Sequence, residues 1–127
     1  MELVTIVIAL ALIEYMYIAM QVGAARGKYG VPAPATTGDP IFERYYRVQQ
    51  NTVEQLVIFL PSMLGFAHYV MPLAAAALGL VFILGRALYL TGYVKDPGKR
   101  STGFMLTFVP NVILVLGALI GAVVELF

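Results

Sequence analysis

Cysteine and tryptophan are both absent from the 127 residues, and histidine occurs once, at His68. The lack of cysteine excludes disulfides, thiolate metal sites and a nucleophilic thiol supplied by the protein, and with a single imidazole no metal centre is expected. Any sulfur chemistry must use a thiol brought by a ligand. Charge is scarce as well: Asp, Glu, Lys and Arg make up 12% of the chain against 61% hydrophobic residues, too little polar surface for a water-soluble domain. The chain therefore reads as all-α and integral to a membrane, where the backbone must satisfy its own hydrogen bonds.

What is present is apolar length. Four stretches, about Leu3 to Val22, Thr52 to Val70, Pro72 to Thr91 and Thr102 to Phe127, approach or exceed the roughly 18 to 20 residues that cross hydrocarbon as helix. The expectation is a single domain over residues 1–127 folded as an antiparallel four-helix bundle, with loops at about 23–43 and 94–101. Spans two and three meet at Ala67 to Pro72, which leaves room only for a tight helical hairpin. The first stretch has Glu2 rather than a basic residue ahead of it and is too long for a signal-peptide core, so it reads as a retained span.

All the basic residues fall in two places. Arg26, Lys28, Arg44 and Arg47 lie between spans one and two, and Arg86, Lys95, Lys99 and Arg100 lie around the connection between spans three and four. The positive-inside rule puts both loops in the cytoplasm and both termini outside, in a bacterial inner membrane or an endoplasmic reticulum membrane. Topology thus accounts for the basic residues, and the net charge of +1 gives no reason to expect nucleic acid as a partner.

Two polar constellations stand at that cytoplasmic level. In FERYYRVQQNTVEQLVIFLP, which starts at Phe42, spacings of four and three place Arg47, Asn51 and Glu54 within roughly 60 degrees around one helix. A guanidinium, an amide and a carboxylate converge there as the chain enters the bilayer. Upstream, the proline-bearing GVPAPATTGDP delivers Asp39 and Pro40, an N-cap followed by a proline at the first helical position, so the second helix starts near there. The second constellation is Arg86, Tyr89 and Tyr93, again at spacings of three and four. Arg100 follows beyond the breakers Pro97 and Gly98, at or near the start of the fourth helix. Taken singly, such Arg and Tyr residues are ordinary interface anchors, and Arg47, Asn51 and Glu54 could be a salt-bridge network between helices. Together, the cations, amide, carboxylate and phenols suit a small peptide-like anion.

FERYYRVQQNTVEQ, followed by RALYLTGY and then KR, resembles the MAPEG family, the membrane-associated proteins in eicosanoid and glutathione metabolism. The similarity covers nearly the whole chain and is greatest to the branch holding leukotriene-C synthase and the microsomal glutathione transferases, with ARGKYG and ATTGDP also in step. The resemblance implies a homotrimer that binds glutathione as cosubstrate between neighbouring subunits near the cytoplasmic face. It implies glutathione contacts at Arg47, Asn51, Glu54, Tyr89 and Tyr93, with Arg26 and Gln49 as further contacts from the adjoining subunit. Arg100 matches the arginine that holds the glutathione sulfur as thiolate. The physics agrees, because a guanidinium beside a thiol favours its ionised, nucleophilic form. The reaction implied is attack of that thiolate on a hydrophobic electrophile, or on a lipid hydroperoxide, arriving from the membrane lipid, as in detoxification. Gln55 stands where the leukotriene-forming members carry an aromatic residue against glutathione, and Gly27 where they carry a second arginine, so a general transferase is the reading. Noncatalytic lipid-binding relatives in the same family are the alternative.

Glu14, mid-way along span one and in stripe with Tyr17 and Gln21, raises a different class, the small proton-coupled multidrug exporters with a glutamate in their first span. A buried structural role facing another helix or a trimer interior is the expectation. His68 falls in the outward turn and is read as an ordinary turn residue. Thr107 and Asn111, astride Pro110, are read as packing or kink residues.

Overall fold

The Asp39 and Pro40 signal starts a helix where the sequence places it. In the computed structural model, which describes residues 1–127, the Asp39 side chain accepts from the backbone N–H groups of Ile41 and Phe42, both at 2.9 Å, and α2 runs Pro40–Tyr69. Before it lies α1, Glu2–Tyr29, closed by Gly30 in the left-handed region at φ 68° with the Val31 N–H returning to the Arg26 carbonyl. After the short link Val70 and Met71 comes α3, Pro72–Lys95. A 3-10 turn over Pro97–Lys99 leads into α4, Ser101–Leu126.

The helices overrun the expected spans. α1 continues through Gly23–Tyr29 and α2 begins well before Thr52, so the linking loop shrinks to Gly30–Asp39. Hydropathy marks where apolarity ends, whereas helix ends follow caps. At about 1.5 Å per residue the 30 residues of α2 extend about 45 Å, longer than a hydrocarbon core of about 30 Å, so part of it stands in the headgroup and aqueous zone. α1, α3 and the segment Pro97–Leu126 are each long and apolar enough to cross a membrane. α2, with Arg47, Asn51, Glu54 and Gln55 in its first half, is more polar and packs against all three other helices.

The apolar half of the bundle is filled by Val4, Val7 and Ala11 of α1, Leu56, Phe59, Met63 and Phe66 of α2, Ala75, Ala76 and Phe82 of α3, and Leu114 of α4. Phe59 and Phe82 stack with centroids 4.0 Å apart. Many other large apolar residues, Ile13, Met16, Leu80, Leu84 and Val124 among them, point outward, as expected of a surface that faces lipid.

α3 and α4 approach closely because glycines stand at their crossing. A Cβ on Gly85 would meet the backbone of Leu106 and Thr107, and one on Gly103 would meet the backbone of Tyr89. Arg44 of α2 reaches the open end of α3, donating from Nη1 to the Val94 and Lys95 carbonyls at 3.0 and 3.3 Å. These contacts fix α2, α3 and the start of α4 around one end of the bundle.

Candidate functional site

At that end a cleft of about 500 Å³ opens between α2, α3 and α4, lined by Arg47, Asn51, Tyr89, Tyr93, Arg100, Ser101, Phe104 and Met105. Each wall has a local origin. Arg47 and Asn51 share a face of α2 one turn apart, and Tyr89 and Tyr93 do the same on α3, where their rings stack 5.5 Å apart. Arg100 arrives by way of the turn: the Gly98 N–H donates to Asp96 Oδ1 at 3.0 Å, and Arg100 follows as the residue capping α4. The Arg100 guanidinium donates to the Pro97 carbonyl at 3.1 Å and is otherwise exposed.

The floor is Arg86, fully buried. Its Nε donates to Thr107 Oγ1 at 2.9 Å, and its Nη1 to Asn51 Oδ1 at 2.8 Å and to Thr52 Oγ1 at 3.0 Å. Its guanidinium lies over the Tyr89 ring, 4.4 Å from the centroid. Because arginine only donates, the Asn51 oxygen faces Arg86, which leaves the Asn51 NH2 free to donate into the cleft. The cleft therefore presents two guanidinium groups, amide and phenol hydrogen-bonding groups and the N-terminus of α4, with no carboxylate in its lining. That inventory favours an anion bearing carboxylates, and a thiol placed beside Arg100 would be stabilised as thiolate.

Of the residues singled out in the sequence, Arg47, Asn51, Tyr89, Tyr93 and Arg100 come together here. Glu54, Gln49 and Arg26 lie outside the lining. Glu54 is exposed and Gln49 half-buried on α2. Arg26 is engaged with the loop, donating to the Val31 and Ala35 carbonyls at 3.3 and 2.7 Å while stacked 4.8 Å from the Phe42 ring centroid. Arg47 and Glu54 form no ion pair, and the one salt bridge in the chain joins the terminal ammonium to Glu2. The sequence reading missed Ser101, Phe104 and Met105, whose spacing on the first turns of α4 carried the signal.

A second depression, about 430 Å³ and lined by Ile58, Phe108, Asn111, Val112, Val115 and Leu116, runs along α2 and α4. Phe104 of the polar cleft stacks on Phe108 of this apolar groove with centroids 5.7 Å apart, so the two adjoin. Asn111 is buried and donates from Nδ2 to the Gln55 backbone and side-chain oxygens at 3.2 and 3.1 Å. It is a packing link, as expected from the sequence, and it explains why Gln55 turns into the bundle. Gly27 is exposed, with open space around it.

Comparison with known proteins matches residues 4–120 to the MAPEG family. An uncharacterized protein of Synechocystis is 49% identical over 121 residues, covering 95% of this chain and 88% of that protein. Human microsomal glutathione S-transferase 2 is 46% identical over 107 residues, covering 84% of this chain and 73% of the relative. Bovine leukotriene C4 synthase is 38% identical over 84 residues, 66% of this chain and 56% of the synthase.

Proposed function

Because this chain belongs to the MAPEG family of helical membrane proteins, we propose that it is a membrane-bound glutathione transferase that adds glutathione thiolate to hydrophobic electrophiles. The supporting observation is the convergence of Arg47, Asn51, Tyr89, Tyr93 and Arg100 on one cleft beside an apolar groove. The similarity to microsomal glutathione S-transferase 2 supports the same reading.

In this mechanism Arg47 takes a glutathione carboxylate, and Asn51, Tyr89 and Tyr93 hydrogen-bond the peptide. Arg100 lies beside the sulfur and holds it ionised. The thiolate attacks an electrophilic carbon of a substrate seated along Phe104 and Phe108. A carbon–sulfur bond forms as the bond to the leaving group breaks, or as an epoxide C–O bond opens to an alkoxide that water protonates. With a lipid hydroperoxide the same thiolate attacks the terminal peroxide oxygen and expels an alkoxide. The sulfenic acid so formed condenses with a second glutathione to give the disulfide and water.

A homotrimer fits the residues left outside the cleft, since a neighbouring copy would bring Arg26 and Gln49 to glutathione, with Glu54 facing its amino group. In the proposed orientation the cleft faces the cytoplasm and both termini face outward. The apolar groove favours one second reading, a noncatalytic lipid-binding protein.

The test is glutathione consumption by the purified protein with an aryl halide and with a lipid hydroperoxide, alongside Arg100→Ala. Turnover that Arg100→Ala abolishes supports the enzyme. Saturable glutathione binding without turnover supports the binding protein, and no glutathione binding rejects both the cleft assignment and the reaction.

A further inference from the structure

Arg86 is 0% exposed, yet no carboxylate accepts any of its hydrogen bonds. Its acceptors are two threonine hydroxyls and an amide, and its Nη2 is buried without a partner. A cation held this way among helices that face lipid lacks the counter-charge that such groups require. Glu14 has the complementary defect. It lies half-buried in the middle of α1, with Oε1 buried and without a donor.

Helix register brings the two level. Val7 of α1 abuts Gly79 of α3, and one end of the bundle groups Ile18 with Tyr89 in a small buried cluster. The two helices therefore run side by side in the same direction, with a common rise per residue. Glu14 and Arg86 are 72 positions apart in sequence, as are Val7 and Gly79. The other acidic residues are exposed, apart from Asp39, which is committed to capping α2.

We propose that Glu14 is a positioning residue for the cleft: its carboxylate neutralises Arg86 from the α1 side through one bridging water, and so holds Arg86 against Asn51 and Tyr89. This role rests on the glutathione reading, while the pairing itself does not. With Glu14 charged, Arg86 stays beneath the cleft, fixes the Asn51 oxygen and supports the Tyr89 ring. With Glu14 neutralised, the nearest source of solvation for the guanidinium is the aqueous cleft. Movement toward it carries away the donors that face glutathione.

The experiment compares wild type, Glu14→Asp, Glu14→Gln, Arg86→Lys and the Glu14→Gln/Arg86→Lys double variant in nanodiscs. It reads glutathione Kd, KM and kcat with an aryl halide, and the unfolding midpoint in SDS. Glu14→Gln is expected to raise glutathione Kd and KM about tenfold, the scale of coupling within one hydrogen-bonded network, with kcat at saturation within about twofold. Glu14→Asp restores most of the affinity, and the double variant shows less than the combined loss of the single variants.

Wild-type binding with unchanged affinity in Glu14→Gln overturns the positioning role and leaves the glutathione reading standing. A lowered unfolding midpoint with unchanged Kd overturns it too, because that is what a merely structural glutamate gives. If wild type binds no glutathione, the functional reading fails, and the unfolding data decide the pair alone: non-additive shifts support it and additive shifts overturn it.

Discussion

Arg86 Nη1 donates to Asn51 Oδ1 across 2.8 Å, tying the polar face of α2 to a residue 35 positions later on α3. The bond divides the polar residues into a floor and walls. Arg86 has its charge beneath the cleft, whereas Arg47 and Arg100 line it and are exposed. It also orients Asn51, whose NH2 is left to face the cleft. Asn51→Asp keeps an acceptor for Arg86 but replaces that donor with a negative charge. Glutathione Kd is expected to rise about 10- to 100-fold, from the roughly 1.5 to 3 kcal/mol of a hydrogen bond to a charged group. The unfolding midpoint should not fall, because the new carboxylate sits against the Arg86 guanidinium. Calorimetric titration that finds wild-type affinity in Asn51→Asp removes Asn51 from the ligand's contacts.

The role proposed for Arg100 beside the sulfur is tested by a pH profile. A free thiol titrates near pKa ~8.5, and a close guanidinium lowers that value, so wild type is expected to keep its thiolate at neutral pH. In Arg100→Ala the rising limb of kcat/KM moves to higher pH. The deficit should be about tenfold or more near neutrality, one pKa unit being a factor of ten in the thiolate of a mostly protonated thiol. It should narrow as the pH passes the free thiol value, where ionisation needs no help. Absorbance of the bound thiolate against pH checks the same shift without turnover. A deficit that stays constant across the range assigns Arg100 to carboxylate binding instead.

Much of this site was legible because helical spacing is a local rule. Arg47 with Asn51, and Tyr89 with Tyr93, are neighbours on their own helices, and Asp39 with Pro40 announced the start of α2. Which face turns toward which helix is a matter of tertiary packing, and there the pattern misleads. Asn51 and Glu54 share a helical face by angle, yet Asn51 reaches Arg86 while Glu54 is left exposed. The sequence groups Arg86 with Tyr89 and Tyr93 on one face of α3, but no single-helix rule reports that Thr52 and Thr107 converge on it from other helices. Hydropathy also gave spans shorter than the helices, since it senses the bilayer while α1 and α2 continue past it.

Gly103 sets the distance between α3 and α4, and with it the width of the cleft. A Cβ there meets the backbone of Tyr89, which has no rotamer to yield. Gly103→Ala is expected to cost about 1 to 3 kcal/mol by overpacking. Glutathione affinity and unfolding midpoint should fall together, because Tyr89 and the start of α4 both move. Gly27→Ala, at an exposed helical position with open space around it, serves as the control and should lower neither. A Gly103→Ala protein with wild-type midpoint and affinity shows that the crossing has slack.

The apolar groove can be tested apart from the polar cleft, since the Phe104 and Phe108 stack joins them but only Phe104 lines the polar cleft. Val115 lies at the groove and is exposed to 41%, so Val115→Trp adds volume there without displacing a core side chain. If long-chain electrophiles and lipid hydroperoxides lie along this groove, the variant raises their KM. The expected change is about 10-fold, since one or two displaced methylenes are worth about 1 to 3 kcal/mol. A small aryl halide needs only the Phe104 end, so its kcat/KM and the glutathione Kd should stay within about twofold of wild type. Equal losses for the short and long substrates point to a distorted α4, and no loss for either sends the long substrate to another face of the bundle.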